Sequence, residues 1–254
     1  MKKPDFAASM YELAPGAFAL PSGLLWLERP GTLIAADAHF AYEDVIGGAL
    51  PLWSTAEMAA TLSIAASLMR AREIVLLGDV IHGAHMSEGA ARTVAEALAA
   101  LRAQTPLTLI AGNHEGKTRG AAVLGATSEM LERDGWILSH GDRAPHAGTR
   151  SIIGHLHPSL HLGGGASVPA FLAAADVIVV PALTPYSPGL DVFSEDCMAA
   201  LAPWNVQRKD LHVVASTSER VFPFGALSAL RGALRRPYVP RANRFRRKFL
   251  KADR

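Results

Sequence analysis

Five short polar clusters carry the residue types that hydrolytic metal chemistry needs: Asp37-Ala38-His39, Gly78-Asp79-Val80-Ile81-His82-Gly83, Gly112-Asn113-His114-Glu115, His140-Gly141-Asp142 and Gly154-His155-Leu156-His157. Carboxylate, amide and imidazole donors together suit hard or borderline divalent cations. Glycines in the clusters permit the sharp turns that aim such side chains inward. A single Asp-x-His or Gly-Asp is ordinary turn chemistry and means little alone. Five in series differ, because burying that many histidines and carboxylates without a cation is very costly. The chain has ten histidines and one cysteine, Cys197. That excludes an internal disulfide framework and a multi-thiolate site, and leaves His, Asp, Glu and Asn as the metal ligands.

Each cluster directly follows an apolar run of strand composition: residues 32–36, 73–77, 107–111, 136–139 and 151–154. Two more such runs lie at 177–180 and 211–215, and an early pair, 17–20 and 24–27, flanks Pro21-Ser22-Gly23 as a hairpin. Between them lie Ala/Leu-rich stretches of helical spacing. Ser54-Thr55-Ala56-Glu57 reads as a capping box opening a helix toward Arg70, and Ser87 or Glu88 opens another through Gln104. Met58, Met69 and Met130 read as core filler. The alternation defines an α/β chain. In open α/β sheets the strand C-termini face one crevice, so clusters far apart in sequence can converge there.

In this order the clusters resemble the D-x-H, G-D, G-N-H-[DE], lone His and G-H-x-H pattern of the calcineurin-like metallophosphoesterase superfamily. The resemblance implies a four-layer α/β/β/α sandwich of two mixed sheets. It also implies two divalent metal ions, Mn²⁺ foremost, with Fe or Zn as options. Asp37, His39, Asp79 and His157 would hold one, and Asp79, Asn113, His140 and His155 the other, with Asp79 bridging. His114, beside a ligand but not itself one, would be the general acid for the leaving group. Such a site hydrolyses phosphodiester bonds with a metal-activated hydroxide.

The form Gly-Asp-Val-Ile-His resembles the DNA-repair nucleases of the SbcD type and makes His82 a second catalytic imidazole. The segments 23–34 and 180–183 look like the small bacterial ligase-associated DNA-damage-response endonuclease family. That similarity covers residues 12–225 and implies a DNA endonuclease in repair, with a DNA ligase or helicase as possible partners. Lys117 and Arg119, following His114 on the same loop, are the candidate substrate contacts. The alternative is a phosphoesterase for nucleotides or other small molecules without nucleic-acid specificity.

Of 254 residues, 50% are hydrophobic and 19% charged, a composition that excludes disorder over most of the length. No run reaches the roughly 18 apolar residues of a membrane span, and no secretory signal follows Met1, so a cytoplasmic protein without membrane attachment is expected. The net charge of +2 conceals an asymmetry. Residues 1–230 hold 15 Lys and Arg against 22 Asp and Glu, a net of −7, whereas residues 231–254 hold 10 against 1, a net of +9. The expected organisation is one catalytic domain over 1–230 and a basic, flexible tail over 231–254. Tyr238, Phe245 and Phe249 lie among the tail's cations, a combination suited to a polyanion with bases to stack on.

Overall fold

The computed structural model describes residues 6, 9–46, 52–83, 85–114, 119–143, 148–163 and 166–234. A first sheet runs in chain order through β1 (Tyr11–Ala14), β2 (Ala17–Ala19), β3 (Leu25–Leu27), β4 (Thr32–Ala36), β5 (Glu73–Leu77) and β6 (Leu107–Ile110). Its first four strands pair antiparallel, and β4, β5 and β6 pair parallel. Helices α1 (Tyr42–Ile46), α2 (Trp53–Met69), α3 (Glu88–Gln104) and α4 (Arg119–Leu124) fall between or after these strands.

The second sheet is built from β7 (Met130–Arg133), β8 (Trp136–Ser139), β9 (Arg150–Ile153), β10 (Pro158–Gly163), β11 (Ala166–Ala173), β12 (Val177–Val179), β13 (Leu190–Asp191), β14 (His212–Ser216) and β15 (Val221–Ala226). Its spatial path is β13-β10-β11-β12-β9-β8-β7, with β14 pairing β11 and β15. Helices α5 (Glu195–Leu201) and α6 (Leu227–Leu234) complete the described α-helices. Because α6 runs through Leu230, the helix crosses the boundary expected there between domain and tail.

Strand alternation sorts the core into layers. Leu33 and Ala35 of β4, with Ile74 and Leu76 of β5, pack on Met58, Leu62, Ala65 and Ala66 of α2 and on Val94, Leu98 and Leu101 of α3. The intervening residues Ile34, Ala36, Val75 and Leu77 face the other way, onto Leu138, Ile152, Phe171, Ile178 and Val214 of the second sheet. The far side of that sheet, including Ile153, Leu172, Val179 and Val213, packs on Cys197 and Leu201 of α5 and Leu227 of α6. The order is helix, sheet, sheet, helix, the expected four-layer sandwich of two mixed sheets. Each fully buried aliphatic side chain in these layers contributes about 1.5–3 kcal/mol of transfer free energy.

Register brings the strand ends together. Ala36 pairs with Leu77 and Leu77 with Ile110, so β4, β5 and β6 end side by side and release Asp37, Gly78 and Ala111 at one edge. In the second sheet Ser139 pairs with Ile153 and Ile153 with Val179, which aligns the exits to His140 and Gly154. A parallel bridge between Ala36 and Ala182 ties the two edges together.

Two local expectations are corrected. The capping box at residues 54–57 does not form: α2 starts at Trp53, Leu52 in the cap position makes no side-chain bond, and Ser54 lies inside the first turn. The Glu43 carboxylate from α1 takes over the task, accepting the Ser54 N–H at 2.9 Å and placing negative charge at the positive end of the helix. Met130 is 49% exposed because it lies on β7, the terminal strand of the path, and is not core filler. Ser87 does cap α3, accepting the Ala90 N–H at 3.2 Å.

Candidate metal centre

The loops leaving the aligned strands are forced into conformations that only local sequence chemistry tolerates. Asp37, His39, Asp79, His155 and His157 all adopt positive φ, between +39° and +62°, a region uncommon for residues with a Cβ. Such backbones persist where surrounding structure imposes them, most often at functional sites. Two glycines make room for the result. A Cβ on Gly78 would overlap the His140 ring, and one on Gly112 would overlap the backbone N and carboxylate of Asp79.

Two trios result. Asp37, His39 and His157 offer one ligand atom each, all within 4.8 Å of one another, and Asp79, His140 and His155 do the same. In the first, His157 Nε2 is 3.5 Å from Asp37 Oδ2. In the second, His140 Nε2 sits 3.0 Å from His155 Nδ1, 3.4 Å from Asp79 Oδ2 and 2.8 Å from Asn113 Oδ1, so Asn113 joins this group. Direct contacts hold the trios together: the His155 N–H donates to Asp37 Oδ2 at 2.8 Å, and the His39 N–H donates to the Asp79 carbonyl at 2.9 Å. All seven residues expected as metal ligands are therefore brought to one place.

The donor set fits cations. His39 Nε2 is buried without a hydrogen-bond partner, while Asp37 Oδ1 and His140 Nδ1, also buried and outside any hydrogen bond, lie 3.4 Å apart as an ion pair. An unsatisfied buried group such as His39 Nε2 costs about 1–3 kcal/mol, a cost that a bound ion removes. Burial, reinforced by the nearby His157 imidazole, lowers the His39 pKa to about 3 despite the attraction of Asp79, so the ring is neutral at pH 7 and one nitrogen offers a free lone pair. Burial likewise lowers His155, and His140 adds to the effect. Burial opposes ionisation of Asp79, but the hydrogen bond and charge of His140 and the His114 N–H outweigh it and hold the carboxyl well below its usual range. His140 is the exception among the imidazoles: burial lowers it, yet the Asp79 and Asp37 carboxylates raise it overall.

Around the trios the other expected residues fall as follows. The His114 N–H donates to Asp79 Oδ1 at 2.9 Å, and its Nδ1 lies 3.2 Å from the His82 carbonyl. A carbonyl only accepts, so Nδ1 carries the proton and Nε2, 3.9 Å from Asp79 Oδ2, is the nitrogen turned to the centre. His82 Nδ1 is 3.0 Å from His39 Nδ1, and its ring stacks on His114 with centroids 5.4 Å apart. Lys117 lies outside the described residues. Arg119 opens α4.

Sequence reasoning missed Ser187. Its hydroxyl lies 2.7 Å from His157 Nδ1, which fixes that ring with Nε2 facing Asp37. Its only sequence signal is its place in the Thr184-Pro185-Tyr186-Ser187-Pro188-Gly189 turn after an apolar run. Partners of this kind orient ligating imidazoles. Ser187→Ala is expected to lower metal affinity by roughly 10- to 100-fold, read by competition against a chromophoric chelator.

Two mixed sheets sandwiched by helices, with polar loops gathered at the sheet edges, make a four-layer α/β/β/α sandwich. Among solved structures it is similar to the Pseudomonas putida nuclease MPE, with a TM-score of 0.64 at 19% sequence identity over 85% of this chain and 98% of that one. YfcE, a phosphoesterase from E. coli, overlaps more loosely, with a TM-score of 0.38 at 16% identity over 60% of this chain and 80% of that one. No protein-family model matches the chain, and no curated protein matches it by sequence. Among the described residues no helix is long and apolar enough to cross a membrane.

Proposed function

We propose that the chain is a two-metal phosphodiesterase that cleaves DNA. The observation that carries this reading is the pair of adjacent His/carboxylate trios, with the buried His39 Nε2 lacking a hydrogen-bond partner among their ligand atoms. Asp37, His39, His157 and Asp79 would hold one cation, and Asp79, Asn113, His140 and His155 the second, with the Asp79 carboxylate shared. Two cations held by these residues would supply Lewis acidity toward the phosphate and an activated water.

The protein's own groups do the rest. Asn113 contributes a neutral oxygen, so the site repels an anionic substrate less than a third carboxylate would. His114 presents Nε2 to the centre and is 44% exposed at its side chain, which lets it take a proton from solvent and deliver it to the leaving oxygen. His82 accepts the His39 Nδ1–H, which keeps the His39 Nε2 lone pair aimed inward and leaves the His82 Nε2–H as a donor for a phosphate oxygen. Lys117, Arg119 and the basic tail supply cations for flanking phosphates. DNA as the substrate accords with the fold shared with a nuclease and with the charge of residues 231–254, while manganese, a repair role in the cytoplasm and a ligase or helicase partner rest on the motif resemblance.

The test compares Mn²⁺-dependent turnover on DNA with turnover on methyl p-nitrophenyl phosphate, for the full chain and for a chain ending at Leu234. Loss of the tail is expected to weaken DNA affinity and flatten its salt dependence by about 0.9 log units per lost phosphate contact, with the small diester unaffected. Hydrolysis of the small diester without DNA cleavage would instead favour a small-molecule phosphoesterase.

A further inference from the structure

Beside the metal centre, one exposed aromatic ring is held by a ring stack and by hydrogen bonds from its hydroxyl and its backbone. Tyr186 is 40% exposed, yet its ring stacks on Tyr42 with centroids 5.0 Å apart and planes 14° from parallel. Its hydroxyl donates to Glu43 Oε1 at 3.1 Å, and Glu43 is itself buried and also holds the Ser54 N–H. Its backbone N–H reaches Thr184 Oγ1, and the next residue, Ser187, is the partner of His157. Ring contacts then lead inward: Tyr42 lies 4.2 Å from His82, and His82 4.9 Å from His39. Tyr186 has no ring contact other than Tyr42 among the described residues.

Resting on the nuclease reading above, we propose that the Tyr42–Tyr186 pair is a nucleobase platform, on which a base flanking the scissile phosphate stacks. A fixed ring costs little entropy to use, and every base has a π-face to offer it. A base inside a duplex is already covered on both faces, so the platform selects unpaired nucleotides: single-stranded ends, loops or flaps. Lysine or arginine at this place would hold phosphate without regard to the base; a tyrosine stack reads whether a base is present and free.

The experiment uses the Mn²⁺-loaded full chain and dinucleotides with a single phosphodiester, each base deleted in turn. Native protein and Tyr186→Phe, which keeps the ring, are expected to favour the base-bearing dinucleotide in kcat/KM by roughly 5- to 150-fold, the range for one base on one aromatic ring. Tyr186→Ala brings that ratio near 1 while retaining turnover of methyl p-nitrophenyl phosphate, and it loses the fluorescence quenching of a bound 2-aminopurine dinucleotide. An unchanged ratio and unchanged quenching in Tyr186→Ala overturn the platform. A native protein that splits the small diester but neither dinucleotides nor DNA overturns the nuclease reading itself.

Discussion

Asp79→Ala is expected to lose bound metal and to drop phosphodiester hydrolysis by roughly 10³-fold or more, since a catalytic cation contributes several kcal/mol to the transition state. Asp79 is 2% exposed and serves three partners at once. Oδ1 accepts the His114 N–H, Oδ2 lies 3.4 Å from His140 Nε2, and the carbonyl of the same residue holds the His39 N–H. Alanine leaves the backbone link but removes the charge that keeps His140, His155 and Asn113 gathered around a cation. Elemental analysis of the variant after reconstitution should find less than the native metal content. A variant that holds two equivalents and turns over within tenfold of native would remove Asp79 from the centre.

His114→Ala should behave differently, lowering turnover on DNA by roughly 10²–10⁴-fold with metal content preserved. Its ring belongs to neither trio, and its Nε2 is turned to the centre while Nδ1 is committed to the His82 carbonyl. A deoxyribose alkoxide is a poor leaving group without a proton, whereas p-nitrophenolate departs unaided. The loss on methyl p-nitrophenyl phosphate should therefore be much smaller than on DNA. Equal losses on the two would assign His114 to binding or structure, because only proton donation depends on the leaving group.

The centre was legible in sequence because each apolar run stops abruptly at a polar cluster, and parallel pairing then places the stops at one edge. The ligand-bearing strands β4, β5, β8 and β9, the cap at Ser87 and the reach of α2 toward Arg70 follow from periodicity and turn chemistry alone. The capping box at Ser54 failed for a tertiary reason: a carboxylate eleven residues earlier reached the same N–H first. Strands β10, β11 and β15 escaped notice because their exposures are irregular, and β15 even carries Pro223 between the exposed Phe222 and Phe224. The turn at 184–189 could be placed near the crevice from sequence, but the roles of Ser187 and Tyr186 in it could not, for another reason. Their partners His157 and Glu43 are 30 and 143 positions away, and no local pattern encodes so distant a pairing.

Neither half of the polypeptide owns a complete coordination set. The loops of β4, β5 and β6 carry Asp37, His39, Asp79 and Asn113, while those of the other sheet carry His140, His155 and His157, and each trio draws from both. An ion seated in either trio is thus a clasp between the layers, and its affinity includes whatever work separates them. Loading and closure become one thermodynamic event, so neither layer expressed alone can assemble a working pair.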